Sequence, residues 1–542
     1  MGPRATRVLA IGLDGWEESV GARLMAAGEL PHVARLRSRS ARFLLDHGPA
    51  QRTGLAWEHV STGRTPDAAA RWSAVTFDPE TYEVWQEGTS SAPFVAQLDA
   101  PTVVFDPPYF ALTRAPAARG VVDWGAHDPG VARDARPRSL VDEIESRFGP
   151  YPGQGWIYGI PWPSAARART MGEALVRATD ARAEIACWLL GERLPDWRLG
   201  LVVAGELHSA VEAFWHGIDP AHPLARLPSA EPAGEGLHAV YRATDRLVGR
   251  LAASFDDAAI VAFAMGGMGP NRSDVPSMVL LPELLYRHAF GRPLFRQPEA
   301  WTPGALPMLG EDEDWAATVN ARLSPPAVAA PSWSDRLRRV AARFVPRSTA
   351  PRNVPARHGL PWMPATRYQP YWSAMRCFAL PSFYDGRIRV NLAGRERGGT
   401  VALVDYGATC DAIDALLRAC RDADTGAPVV DAVERTGGAD PRRLAPSAAD
   451  LVVVWRDAPL ALEHPTLGRV GPVPYRRPGG HTGPFGMACV SGDGIRPGDF
   501  GVRSSFDVVP TIVALLGEAP PPGLSGTSLL TGAAPGHDGG RR

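Results

Sequence analysis

At 542 residues the chain is long for one simple domain, and a composition of 45% hydrophobic and 21% charged residues excludes wholesale disorder. The formal net charge is −1, so no global basic field favours a nucleic-acid polymer or a membrane surface; with no lysine present, all the basic side chains are arginine. Five cysteines, an odd number without a CxxC pair, read as free thiols in a reducing, cytoplasmic setting.

In chain order, the run Val8-Leu9-Ala10-Ile11-Gly12-Leu13 comes first. It is too short, and too quickly followed by Asp14, for a signal peptide or membrane span. It reads as a central parallel strand with Asp14 at its C-terminal end, where open α/β sheets bind ligands. Residues 19–36 carry helical spacing broken at Pro31, and 42–45 form a candidate second strand. Then comes Arg52-Thr53-Gly54, a Gly-flanked hydroxyl entering a helix. Such a turn suits attack on an anion held by helix N–H groups, and equally suits a plain Thr N-cap. Residues 64–150, rich in Pro, Trp and Asp, read as substrate-side loops.

Residues 164–194 predict a long helix capped by Ser164 and ended by Pro195. Leu199 to Ala204 is a second buried strand, followed by Glu206, His208 and Glu212; 237–255 is a helix, and 258–263 a third buried strand leading to Met265-Gly266-Gly267. Strand and helix alternate, with polar or Gly-rich chemistry after each strand, so the fold class is α/β with a doubly wound, mainly parallel sheet. Residues 282–380 break the rhythm and hold a basic amphipathic piece at 335–344, read as a solvated helix. Strands at 386–391, 400–404 and 451–455 and a helix at 411–419 follow, then His481, an apolar run at 487–490 and a helix at 507–517 closed by Gly517. The expected organisation is an α/β core over 1–281, an insertion or cap over 282–380, a small subdomain and return to the core over 381–532, and a frayed tail over 533–542.

Gly12-Leu13-Asp14-Gly15, Thr53 nine residues before Thr62-Gly63, Phe214-Trp215-His216-x-x-Asp219-Pro220, Gly267-Met268-Gly269, Arg389-Val390-Asn391-x-x-Gly394-Arg395-Glu396, Asp450-Leu451-Val452-Val453, Gly480-His481 and Asp507…Pro510-Thr511 occur in that order. The set resembles the alkaline phosphatase superfamily, in particular the type I phosphodiesterase/nucleotide pyrophosphatase branch and related phosphohydrolases or phosphomutases. The resemblance implies an alkaline-phosphatase-like fold, a Thr nucleophile at Thr53 and two divalent ions, typically zinc. Metal ligands carry over to Asp14, Thr53 and His481. His208 and Glu212 fall where the family has Asp and His, in inverted order, and four residues apart they share one helix face.

The family's Asp-His pair after the third strand is replaced by Met265 and Gly266. Neither is a ligand for a hard ion, which leaves one metal site supported and the second short of ligands. Asn271, Asp274, Glu58, His59 and Glu206 are the available substitutes, and Arg52 is a candidate anion clamp. Three readings stay open: a metal-dependent phosphohydrolase or phosphodiesterase acting on a small phosphate ester; a one-metal phospho- or sulfotransferase of a biosynthetic pathway; and a non-catalytic member that binds a ligand.

Overall fold

The computed structural model describes residues 6–158, 164–297, 309, 313–323 and 357–531. The amphipathic piece at 335–344 and the tail at 533–542 lie outside them. Two units divide the chain, one built from residues 1–74, 91–271 and 476–542, the other from 75–90 and 272–475.

The first unit is organised on nine strands: β1 (Val8–Leu13), β2 (Ala41–Asp46), β3 (Thr102–Phe105), β4 (Arg119–Val122), β5 (Asp134–Arg136), β6 (Leu199–Ala204), β7 (Ala259–Ala264), β8 (Gly486–Ser491) and β9 (Gly498–Ser504). Their spatial order is β9-β2-β8-β7-β1-β6-β3-β4-β5. The pairs β1–β6, β1–β7, β3–β6, β3–β4 and β2–β9 are parallel. Antiparallel pairs occur where β8 enters between β2 and β7 and where β5 closes the far edge.

The longer α-helices of this unit are α1 (Glu18–Ala26), α2 (Pro31–Ser38), α3 (Ala56–Thr62), α4 (Leu140–Phe148), α5 (Ala165–Trp188), α6 (Glu206–Phe214), α7 (Ala230–Ser254) and α8 (Val508–Leu516). Successive strand side chains point to opposite faces, and β1 shows the result. Leu9, Ile11 and Leu13 enter one core with residues of α1, α2, α5, α6 and α7, whereas Val8 and Ala10 enter another with α3 and α8. A sheet with helices on both faces is the doubly wound α/β class expected from the sequence. Ser164 caps α5 as expected, its Oγ accepting from the Arg167 amide, and Gly517 closes α8 with φ +70.

Two local expectations are corrected. Residues 64–150 are not all loop: β3, β4, β5 and α4 lie there, and 75–90 belongs to the second unit. Those strands are only three or four residues long and sit between prolines, so their periodicity is too short to stand out. Residues 400–404 make no strand beyond a bridge of Val401 to Leu392, and Leu403–Asp405 is a 3-10 turn.

The second unit carries a four-stranded antiparallel sheet of Cys377–Leu380, Gly386–Val390, Leu451–Trp455 and Val430–Arg435. Beside it, the buried Arg395 binds Asp450 at 2.7 Å and Arg389 binds Glu396 at 2.7 Å. Among the described residues no helix is long and apolar enough to cross a membrane.

Candidate metal centre

The site grows from the C-terminal ends of β1 and β6. Asp14 is the first residue after β1, and Gly15 follows with φ +82. A Cβ at Gly15 would stand 2.3 Å from the His208 amide nitrogen, so only glycine allows this turn to pack against the start of α6. That contact sets Asp14 against His208, with Asp14 Oδ2 3.0 Å from His208 Nδ1.

Glu212 lies one helical turn beyond His208, and its Oε1 is 3.3 Å from His208 Nε2. His481 sits on the short strand Gly479–Gly483, which pairs antiparallel with Gly267–Pro270, and its Nε2 is 3.0 Å from His208 Nε2. Sequence reasoning therefore identified four residues that the fold brings together.

It missed a fifth. His127, in the turn after β4, stacks on His208 with ring centroids 3.7 Å apart and 19° between planes. Its Nε2 is 3.4 Å from Glu212 Oε2 and its Nδ1 is 3.4 Å from Asp128 Oδ2. A single His in Trp124-Gly125-Ala126-His127-Asp128 carries no motif; the available signal was its position just past the apolar Gly120-Val121-Val122.

The donor set fits a metal ion. His127, His208 and Glu212 are all buried and each offers one ligand atom within 4.8 Å of the others. Both ring nitrogens of His127 and Oε2 of Glu212 are buried and meet only ion-pair neighbours at 3.4 Å, with no well-formed hydrogen bond, an unfavourable state for buried polar atoms. Two donors at zinc-ligand distance around a tetrahedral ion stand about 3.3 Å apart. Within this group the His208–Glu212 and His127–Glu212 separations are 3.3 and 3.4 Å, one to each carboxylate oxygen, close to that spacing.

The charges favour a cation. Burial alone would raise the Asp14 carboxyl, but the neighbouring His208 outweighs it and holds Asp14 below its ordinary value. Burial likewise opposes the Glu212 charge, yet Arg477 and His127 hold its carboxyl well below the usual range. Arg477 Nη1 donates to Glu212 Oε1, which leaves Oε2 toward His127. Burial disfavours the His208 imidazolium, but Asp14 and Glu212 lift it to about 10. Burial and the His208 charge push His481 down to about 3. The carboxylates thus hold positive charge at the His208 ring, and a divalent ion can take the place of that proton.

Thr53 is built differently from expectation. It ends the 3-10 turn Gly48–Thr53, and the N-cap of α3 is Leu55. Its Oγ1 donates to the Ala50 carbonyl at 2.7 Å and accepts from the Leu55 amide at 3.1 Å. Among the described residues it makes no hydrogen bond to Asp14, His208, Glu212 or His481. Arg52 is half-buried on the same turn. Met265 is buried in the core, and the Gln51 side chain lies in ordinary contact, 3.6 Å, with where a Cβ on Gly266 would be. Gln51 Nε2 donates to the carbonyls of His481 at 3.2 Å and Gly483 at 2.9 Å.

The substitute ligands have other partners. Glu206 binds Arg182, Glu58 binds Arg71 at 2.8 Å, His59 bonds to His47 at 3.0 Å, and Asn271 donates to the Gly479 carbonyl at 3.4 Å. Asp274 belongs to the second unit.

No protein-family model and no curated protein matches the sequence. Among solved structures, the chain is similar to phosphonoacetate hydrolase from Sinorhizobium meliloti 1021 in complex with phosphonoformate. The TM-score is 0.47 at 14% identity, over 95% of this chain and 96% of that one. It is also similar to murine ectonucleotide pyrophosphatase/phosphodiesterase 5, whose inactive variant was solved in complex with AMP. There the TM-score is 0.44 at 10% identity, over the same shares of the two chains.

Proposed function

We propose that this chain is a metal-dependent phosphohydrolase of the alkaline phosphatase superfamily, acting on a small phosphate ester. The observation that supports it is the convergence of His208, Glu212 and His481 beside Asp14 at the ends of the central strands. His208, Glu212 and His481 would hold one divalent ion, zinc by the character of the donors. When bound, the ion supplies Lewis-acid stabilisation of charge on the phosphoryl oxygens.

Asp14, bonded to Nδ1 of His208, fixes the tautomer that turns Nε2 to the centre. Its other oxygen is the ligand proposed for an ion on the Thr53 side. Thr53 Oγ1 forms the bond to phosphorus while the bond to the leaving alcohol breaks, and the hydroxyl proton ends on that alcohol. Water then cleaves the phosphothreonine, which releases phosphate and restores the hydroxyl. For this, Oγ1 exchanges its hydrogen bond to Ala50 for the substrate. Arg52 binds the phosphoryl oxygens as a two-pronged donor.

A second reading is favoured by Met265 and Gly266, which offer no hard-ion donor where the family has Asp-His. In it the centre holds a single ion, and the chain is a phospho- or sulfotransferase, or binds its ligand without turnover. Turnover of p-nitrophenyl phosphate and bis(p-nitrophenyl) phosphate separates the two. The first reading expects zinc-dependent release of nitrophenol that falls at least about a thousandfold in Thr53→Ala. Metal binding without turnover of either ester would favour the second.

A further inference from the structure

We infer that His127 is a further ligand of the ion, and that Asp106 and Arg182 position it. The inference rests on the reading that the centre binds a metal, and it adds a donor from the loop after β4, which carries none of His208, Glu212 and His481.

His127 and His208 are arranged alike. Each has a carboxylate at Nδ1, Asp128 at 3.4 Å for His127 and Asp14 at 3.0 Å for His208. Each turns Nε2 to Glu212, His127 toward Oε2 and His208 toward Oε1. A carboxylate behind the far nitrogen is how metal-binding imidazoles are oriented. Ring stacking on His208 accounts for the face of the His127 ring but not for its edge. The two edge nitrogens are buried, and each faces a carboxylate oxygen at 3.4 Å without a well-formed hydrogen bond; an ion between Nε2 and Glu212 would bind both.

The loop that carries His127 is anchored from below. Asp106, the residue after β3, has φ +62 and accepts from the Trp124 amide at 2.8 Å and the Gly125 amide at 2.9 Å. Its Oδ2 also receives Arg182 Nη1 at 2.8 Å, and the same guanidinium donates from Nη2 to Glu206 Oε1 at 2.8 Å. Glu206 opens α6, two residues before His208. One buried arginine therefore ties the His127 loop to the helix that bears His208 and Glu212. Gly205 completes the fit, since a Cβ there would lie 3.3 Å from the His127 amide nitrogen.

The test is titration of the metal-free full-length protein with Co(II), followed by ligand-field absorption and by the dissociation constant, with Tm measured on each variant. Wild type is expected to take up the ion. His127→Ala is expected to weaken affinity by more than about a hundredfold, beyond the ten- to hundredfold typical of an outer partner, and to change the absorption envelope. Asp106→Asn and Gly205→Ala, which leave every donor in place, are expected to weaken affinity about tenfold. Either one serves if the other fails to fold.

Wild-type uptake with unchanged affinity and spectrum in His127→Ala would overturn the inference while leaving the metal centre standing. Unchanged affinity in the folded positioning variants, with only Tm lowered, would overturn the positioning role. No uptake by wild type would instead overturn the proposed metal centre itself.

Discussion

Asp14 and His208 come from the ends of two neighbouring parallel strands and meet at 3.0 Å, carboxylate oxygen to ring nitrogen. The parallel register places the two strand ends side by side, and Gly15 removes the side chain that would keep them apart. A buried carboxylate with one imidazole partner fixes that ring's tautomer and aims its other nitrogen. The geometry makes Asp14 the residue that orients the centre.

Asp14→Asn keeps the shape of the pair and removes its charge. Metal affinity is expected to fall about ten- to hundredfold, with little change in the metal-free fold. Isothermal titration of the metal-free protein with zinc measures it, and an unchanged affinity would remove Asp14 from the centre.

Arg182 is fully buried between Asp106 and Glu206. Arg182→Met leaves two carboxylates unpaired in the core, and the loss of stability is expected to be about 3–5 kcal/mol by urea unfolding. Arg182→Lys is expected to recover little, because one ammonium cannot reproduce the forked bonds to Glu206 and the bond to the Val203 carbonyl. Full recovery by lysine would show that only the charge matters.

Acid is expected to destabilise the first unit through His47. Burial pushes this ring down to about 4, against the weaker pull of Asp46, and it bonds to Ser505 and His59 while stacking on Phe506. The unfolded chain takes up that proton near its ordinary value of about 6.5. Stability is therefore full above about pH 6.5 and falls as pH drops toward about 4, by on the order of 3 kcal/mol from this residue. The drop in Tm between pH 7 and pH 5 should be smaller in His47→Gln than in wild type. An equal drop would assign the acid sensitivity elsewhere.

Several parts of this arrangement were legible in the sequence for physical reasons. β1, β6 and β7 are six-residue apolar runs buried on both faces, a pattern that parallel central strands require. The four-residue spacing of His208 and Glu212 alone sets both on one face of α6. His127 is illegible because β4, the strand that leads to it, is four residues long, too short for its periodicity to stand out between prolines. The Asp106–Arg182–Glu206 bridge was illegible for another reason. Its members are 76 and 24 residues apart, and nothing local marks a pair that only the packing of α5 on the sheet brings together. At Thr53 the turn before α3 is legible from the flanking Gly54, whereas the hydroxyl's bonds to Ala50 and Leu55 are not.

Whether the cluster at the ends of β1 and β6 holds a metal decides the proposed function. Elemental analysis of the purified protein, alongside His208→Ala and Glu212→Ala, tests that most directly. Bound divalent metal in wild type, with one ion per chain lost in both variants, is the predicted result. A wild-type protein that carries no ion, and takes up neither zinc nor cobalt when supplied, would contradict it.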